Sequence, residues 1–160
     1  MKIAGINYEI DTQSIDIFIS GCYGNCKGCH NEDIKDFNIG NPNLKEAFDK
    51  VESIVNSLKG MPKGSLTVKY IRLMGGEPLD NNLDMLKSFV DTLSTFNIPM
   101  VLFTRRELDH LKACSKYNYF LETFDYIKCG PYDCSVTTYK EQYGMTILEN
   151  QNYYKKGLEY

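Results

Sequence analysis

Ser14-Ile15-Asp16-Ile17-Phe18-Ile19-Ser20 runs without a break into Gly21-Cys22-Tyr23-Gly24-Asn25-Cys26-Lys27-Gly28-Cys29-His30-Asn31. The first seven residues are short and β-rich, which predicts a strand over 14–20. A glycine and cysteine loop follows, so any chemistry the cysteines carry is expected at the end of that strand. Outward from this stretch the pattern alternates. Leu44, Ala47, Phe48, Val51, Ile54, Val55 and Leu58 recur at three and four residue steps and predict a helix. Asn43 with Glu46 makes its capping box, and Gly60 followed by Pro62 stops it. Residues 66–74 predict a second strand, broken by Gly75-Gly76. A second helix is expected from about Asn82, with Leu83, Leu86, Phe89, Val90 and Leu93 on one face. Residues 100–103 predict a buried strand. Leu108 and Leu111 begin a weaker helix that reaches toward Cys114. A short strand is expected at 126–129 and a terminal one over 145–153.

Strands alternating with helices predict an α/β domain with a mainly parallel sheet. In right-handed βαβ units, loops leaving consecutive parallel strands emerge along one sheet edge, where ligands bind. The loop after the first of these strands holds the cysteines, and the loop after the second holds Gly75-Gly76-Glu77-Pro78. The two loops are therefore expected to meet.

The remaining composition narrows the class. The chain has 160 residues, 42% hydrophobic and 24% charged, with a formal net charge of -3. That is an ordinary globular balance, with no basic footprint for nucleic acid or an anionic membrane surface. The start turns polar at Asn7 and supplies no secretory signal, and no apolar run is long enough to span a bilayer. A reducing cytoplasm is expected. There the six cysteines read as metal ligands or free thiols rather than a disulfide framework.

Cys22, Cys26 and Cys29 have the spacing C-x3-C-x2-C between glycines that allow a tight loop. Thiolate is a soft ligand suited to zinc, Cu(I) or iron–sulfur clusters. Four cysteines would close a cubane, whereas three leave one iron open to an outside ligand. Two other readings stand beside this one. Zinc would take His30 as a fourth ligand, although adjacent Cys29 and His30 are awkward on one tetrahedral ion. Cys26-Lys27-Gly28-Cys29-His30 also spells the c-type haem attachment motif, but that reading leaves Cys22 without a role.

Together, the Cys22, Cys26, Cys29 loop and Gly75-Gly76-Glu77-Pro78 resemble the radical S-adenosylmethionine superfamily. Cys26-Lys27-Gly28-Cys29-His30-Asn31 is similar, more narrowly, to the activating proteins of anaerobic ribonucleoside-triphosphate reductase. Asp125-Tyr126-Ile127-Lys128-Cys129-Gly130-Pro131-Tyr132 and Glu149-Asn150-Gln151 look like the C-terminal half of that family. Where relatives carry a Gly-rich turn before the first strand, this chain has Glu9-Ile10-Asp11-Thr12-Gln13-Ser14. The resemblance implies one domain over 1–160 with a compact partial (β/α) barrel. It implies a 4Fe–4S cluster on Cys22, Cys26 and Cys29 whose open iron takes the amino and carboxylate groups of S-adenosylmethionine. It places Gly75, Gly76, Glu77, Pro78, Tyr23 and Asn31 around that cofactor, with Gly75 and Gly76 meeting the methionyl amine through their backbone. The implied activity is reductive cleavage to a 5′-deoxyadenosyl radical that installs a glycyl radical on the catalytic subunit of the reductase. A flavodoxin-type electron donor is implied as well. Two alternatives are a radical enzyme of deazapurine-synthesis type acting on a small molecule or peptide, and a metal-binding or electron-transfer module without catalysis.

Other residues carry less. Cys129 and Cys134 are expected to be ordinary thiols, Cys114 a small core residue and His110 a surface histidine. His30 is a candidate to approach the cluster or the partner, and Asn31 a candidate to hold the cysteine loop. Arg105 and Arg106 are expected either at the cofactor's carboxylate or in solvent at a helix start.

Overall fold

A computed structural model describes residues 1–62 and 66–160. Its centre is four parallel strands in chain order: β2 (Ser14–Ile19), β3 (Tyr70–Gly75), β4 (Met100–Phe103) and β5 (Tyr126–Cys129). One antiparallel strand is added at each side, β1 (Ile3–Glu9) beside β2 and β8 (Asn152–Lys155) beside β5. The six-stranded sheet is mainly parallel, as its alternating pattern predicts. It ends in β1 and β8 and closes into no barrel. Four parallel strands are too few to bring the sheet round on itself, since small closed barrels take about eight. No helix among the described residues is long and apolar enough to cross a membrane.

Alternation along the strands divides the sheet into two faces. Ile15, Ile17, Ile19, Ile71, Leu73, Leu102, Ile127 and Cys129 lie in the main core with α1 (Leu44–Lys59) and α2 (Leu83–Ser94). The Asn43 side chain accepts the Lys45 and Glu46 N–H groups and donates to the Glu46 carboxylate at 2.8 Å. Asn82 caps α2 in the same way through Met85 N–H at 2.9 Å. The expected third helix is only Leu108–Lys112 (α3), and Cys114 follows it, half-buried against the core. A short α4 (Asn118–Thr123) packs beside it, with Phe120 and Phe124 buried.

The opposite face carries a second, smaller core. Val101 and Tyr153 of the sheet meet Met145 and Ile147 of a separate hairpin, β6 (Tyr139–Gln142) and β7 (Met145–Leu148). The terminal strand expected over 145–153 is thus two strands with a turn between them. Gln151 makes the break: it is buried, its N–H bonds Leu148 carbonyl at 2.9 Å, and its amide donates to Gly130 carbonyl at 3.0 Å. The second strand is also shorter at its start than 66–74, beginning at Tyr70.

An ion pair crosses this face between neighbouring strands. Asp16 and Arg72 lie opposite each other, and the Arg72 guanidinium grips both Asp16 oxygens, with Nε donating to Oδ1 at 2.6 Å. Ser14 hydroxyl donates to the same carboxylate at 2.8 Å. Both charges are shielded, at 13% and 4% side-chain exposure. Asp16→Ala leaves the guanidinium buried without its partner. It is expected to destabilise the fold by about 3–5 kcal/mol, read as a lower denaturation midpoint at unchanged slope.

Candidate iron–sulfur site

The parallel registers bring four strand ends level. Ile19 lies opposite Gly75, Leu73 opposite Leu102, and Phe103 opposite Lys128. The loops leaving β2, β3 and β4 therefore open on one edge, and the two motifs meet there. Gly76 N–H bonds Ile19 carbonyl at 2.8 Å, and Glu77 N–H bonds Gly21 carbonyl at 2.9 Å. Asn31 amide donates to Gly75 carbonyl at 2.7 Å, closing the far end of the cysteine loop onto the glycine pair. A side chain at Gly76 would collide with this seam, because its Cβ would stand 2.4 Å from Gly21 oxygen. Gly76→Ala is expected to cost about 1–3 kcal/mol, as inserted atoms in packed sites do, and to lower the iron retained after desalting.

Cys22, Cys26 and Cys29 line a cavity of about 350 Å³ together with Gly75, Gly76 and Lys128. That volume falls in the range of small-molecule sites. Burial pushes the Cys22 thiol up, against the Gly24 N–H that donates to its sulfur at 3.2 Å and the nearby Arg105. A thiolate there therefore calls for further positive charge, which a bound metal centre supplies. No three Cys, His, Asp or Glu side chains among the described residues gather tightly enough for a single ion. A tetrahedral zinc draws its sulfur ligands to about 2.3 Å from one point, whereas a cubane takes each thiolate on a different iron. Three thiols lining one cavity are a donor set that suits a cubane.

Behind the cavity wall a charged network holds the loops in place. Glu77 is 1% exposed and accepts Thr104 hydroxyl at 2.8 Å, Arg105 N–H at 2.8 Å and Leu79 N–H at 3.2 Å. Arg106 reaches Glu77 at 2.9 Å and Asp80 at 2.5 Å, and Arg105 reaches Asp80 at 3.3 Å. Burial pushes the Glu77 carboxyl up, and Arg106, the Arg105 N–H and the Thr104 hydroxyl oppose it. Asp80 also accepts Tyr23 N–H at 2.8 Å. Against its partial burial, that bond and the Arg106 guanidinium hold Asp80 below the usual carboxylate range. Arg105 and Arg106 are thus committed to Glu77 and Asp80, and neither stands in solvent as a free helix start.

Of the six residues expected around the cofactor, Asn31, Gly75 and Gly76 line the cavity, whereas Glu77, Tyr23 and Pro78 are not among its lining residues. The Tyr23 ring is 78% exposed and packs on Phe37 at 4.7 Å, because its backbone is turned by Asp80. Pro78 is buried at the start of a single 3₁₀ turn, where its fixed φ and missing N–H suit the position. His30 leans on Tyr132, with ring centres 4.0 Å apart and a hydrogen bond to the phenol. Tyr132 belongs to a strap, residues 131–136, that crosses the cysteine loop. Cys134 N–H bonds Lys27 carbonyl at 3.1 Å, and the Cys134 side chain fills the space beside Gly28. Asn150 amide holds the strap at Pro131 carbonyl at 3.0 Å. Cys129 and Cys134 do not pair: Cys134 is exposed, while Cys129 lies in the helix-side core, where burial pushes its thiol to about 12. The strap and Lys128 are the parts of the site that sequence reasoning missed.

Comparison with known proteins accords with this donor set. Over 63 residues, 39% of this chain, the sequence is 36% identical to the anaerobic ribonucleoside-triphosphate reductase-activating protein of Salmonella typhi. The protein of the same name from Salmonella typhimurium matches to the same extent. The matched stretch spans 37% of the length of each relative. The resemblance to the activating proteins of this reductase thus extends to named relatives. The family described as 4Fe-4S single cluster domain matches residues 13–154, from the threshold of β2 into β8. With that span, and with three thiols facing one cavity, the chain belongs to the 4Fe-4S single cluster domain family.

Proposed function

We propose that the chain is a radical S-adenosylmethionine activase, a single domain over 1–160 that installs a glycyl radical on an anaerobic ribonucleotide reductase. Cys22, Cys26 and Cys29 hold a 4Fe–4S cluster and leave its fourth iron open. When bound, the cluster supplies one electron that splits the sulfonium into methionine and a 5′-deoxyadenosyl radical, which takes a hydrogen atom from a glycine Cα of the partner. A flavodoxin-type donor restores the electron. The observation that carries this reading is the shared cavity: Gly75 and Gly76 line it beside all three cysteines, so a ligand bound at the cysteines would have their backbone within reach. The chain's own work is positional. Asn31 ties the cysteine loop to Gly75, Asp80 fixes the turn at Tyr23, and Glu77 holds the β3 and β4 loops together.

Anaerobically reconstituted protein should bind about four irons, as one cubane requires. On reduction with S-adenosylmethionine it should release 5′-deoxyadenosine and methionine in equal amounts. Added reductase should then show a glycyl radical by electron paramagnetic resonance. Cluster binding without 5′-deoxyadenosine would overturn the radical reading. Release of 5′-deoxyadenosine with a modified small molecule and no protein radical would overturn the choice of partner.

A further inference from the structure

Among the described residues, one of the cavity's cations has no carboxylate within ion-pair distance. Three long basic side chains line it: Lys35, Arg105 and Lys128. Lys35 pairs with Glu32 at 3.2 Å, and Arg105 pairs with Asp80 at 3.3 Å. Lys128 has no carboxylate partner among the described residues. It sits on β5 between Ile127 and Cys129, which face the helices, so alternation turns Lys128 toward the cavity. Its ammonium stands 5.3 Å from the Phe103 ring centre. Arg72, already neutralised by Asp16, stands 5.7 Å from the centre of the same ring.

A half-buried ammonium without a counter-ion is costly, and burial pushes Lys128 down to about 8. The ring offers only a weak cation–π contact in exchange. A carboxylate arriving in the cavity would complete the pair.

We infer that Lys128 is a cofactor-binding residue that anchors the carboxylate of the methionyl group of S-adenosylmethionine. This rests on the proposed reading of the cavity as a cofactor site, and it assigns a role to a residue outside the two motifs. The neighbouring amine of the methionyl group is left to the Gly75-Gly76 backbone, which has no charge to offer a carboxylate.

The test compares two ligands on two proteins, all with reconstituted cluster and matched iron content. The ligands are S-adenosylmethionine and its decarboxylated analogue, and the proteins are wild type and Lys128→Met, with Lys128→Gln used if the methionine variant retains less iron. Binding is read by anaerobic equilibrium dialysis. Lys128→Met is expected to weaken S-adenosylmethionine about 10- to 100-fold, the worth of a hydrogen bond to a charged group, and to leave the analogue within about twofold. Equal weakening of both ligands would overturn the inference and assign Lys128 to the cluster's charge instead. Unchanged preference for the carboxylate in the variant would overturn it as well, while leaving the cofactor reading intact. Wild-type protein that binds neither ligand would remove both.

Discussion

Cys26→Ser, reconstituted without oxygen, is expected to fall from about four bound irons to nearly none and to release no 5′-deoxyadenosine above background. A serine hydroxyl is a hard, weakly acidic ligand and does not replace a thiolate on iron. The same outcome is expected for Cys22→Ser and Cys29→Ser, since the proposed site uses all three thiolates as cluster ligands. Two controls make the result specific. Cys129→Ser should keep its iron, because Cys129 packs among the helix-side residues and its proton is held to about pH 12. Cys134→Ser should keep it also, because Cys134 touches the loop from outside through Gly28. Iron content by colorimetric assay, with the visible absorption of the cluster, separates the two groups. Loss of iron in Cys134→Ser would mean that the strap supplies a ligand.

The second large effect is expected at Glu77. Its carboxylate collects a hydroxyl, two backbone N–H groups and the Arg106 guanidinium in a site that is 1% exposed. Glu77→Ala removes the shared acceptor and leaves a buried arginine short of its partner, which costs about 3–5 kcal/mol in comparable sites. That is a large fraction of the stability of a domain this size. Thermal denaturation of the apoprotein checks it. Glu77→Gln keeps the shape and the acceptor oxygen but loses the charge, so its loss should be smaller. The damage should also reach the cysteines, since Asp80 and Arg105 belong to the same network and Asp80 holds Tyr23 N–H. Glu77→Ala protein that folds at low temperature should therefore take up iron more slowly than wild type.

The parts of this fold legible in the sequence are those where one signal acts alone. Helix α1 shows a clean repeat and both of its stop signals, and β2 runs visibly into the cysteine loop. β1 was hidden by its own irregularity. Its register shifts between Ile3 and Gly5, so Ile3 and Ile6 are both buried although three residues separate them. A bulge of that kind erases the period of two that marks a strand. The segment before β2 is the turn of the β1–β2 hairpin, closed by Gln13 N–H to Ile10 carbonyl at 3.2 Å. The β6–β7 hairpin had a readable signal in Tyr143-Gly144, both at positive φ in its two-residue turn. Lys128 was opaque for a different reason. A short strand shows which residues alternate, but only the packed helices reveal which side is the core. The strap was opaque because its ties run through backbone groups and the amide of Asn150, which leave no periodic trace.

The seam between Gly21, Gly75, Gly76 and Glu77, together with the bond from Asp80 to Tyr23, is made wholly of protein groups. Small zinc domains take their shape from the ion and unfold when it is withdrawn. Here the seam is held by hydrogen bonds within the chain, so the cysteine loop is expected to keep its place before iron and sulfide are inserted. Iron starvation or a burst of oxygen would then leave a folded, empty acceptor rather than a substrate for proteolysis. Such a protein can be refilled by the cell's cluster-delivery machinery without being made again.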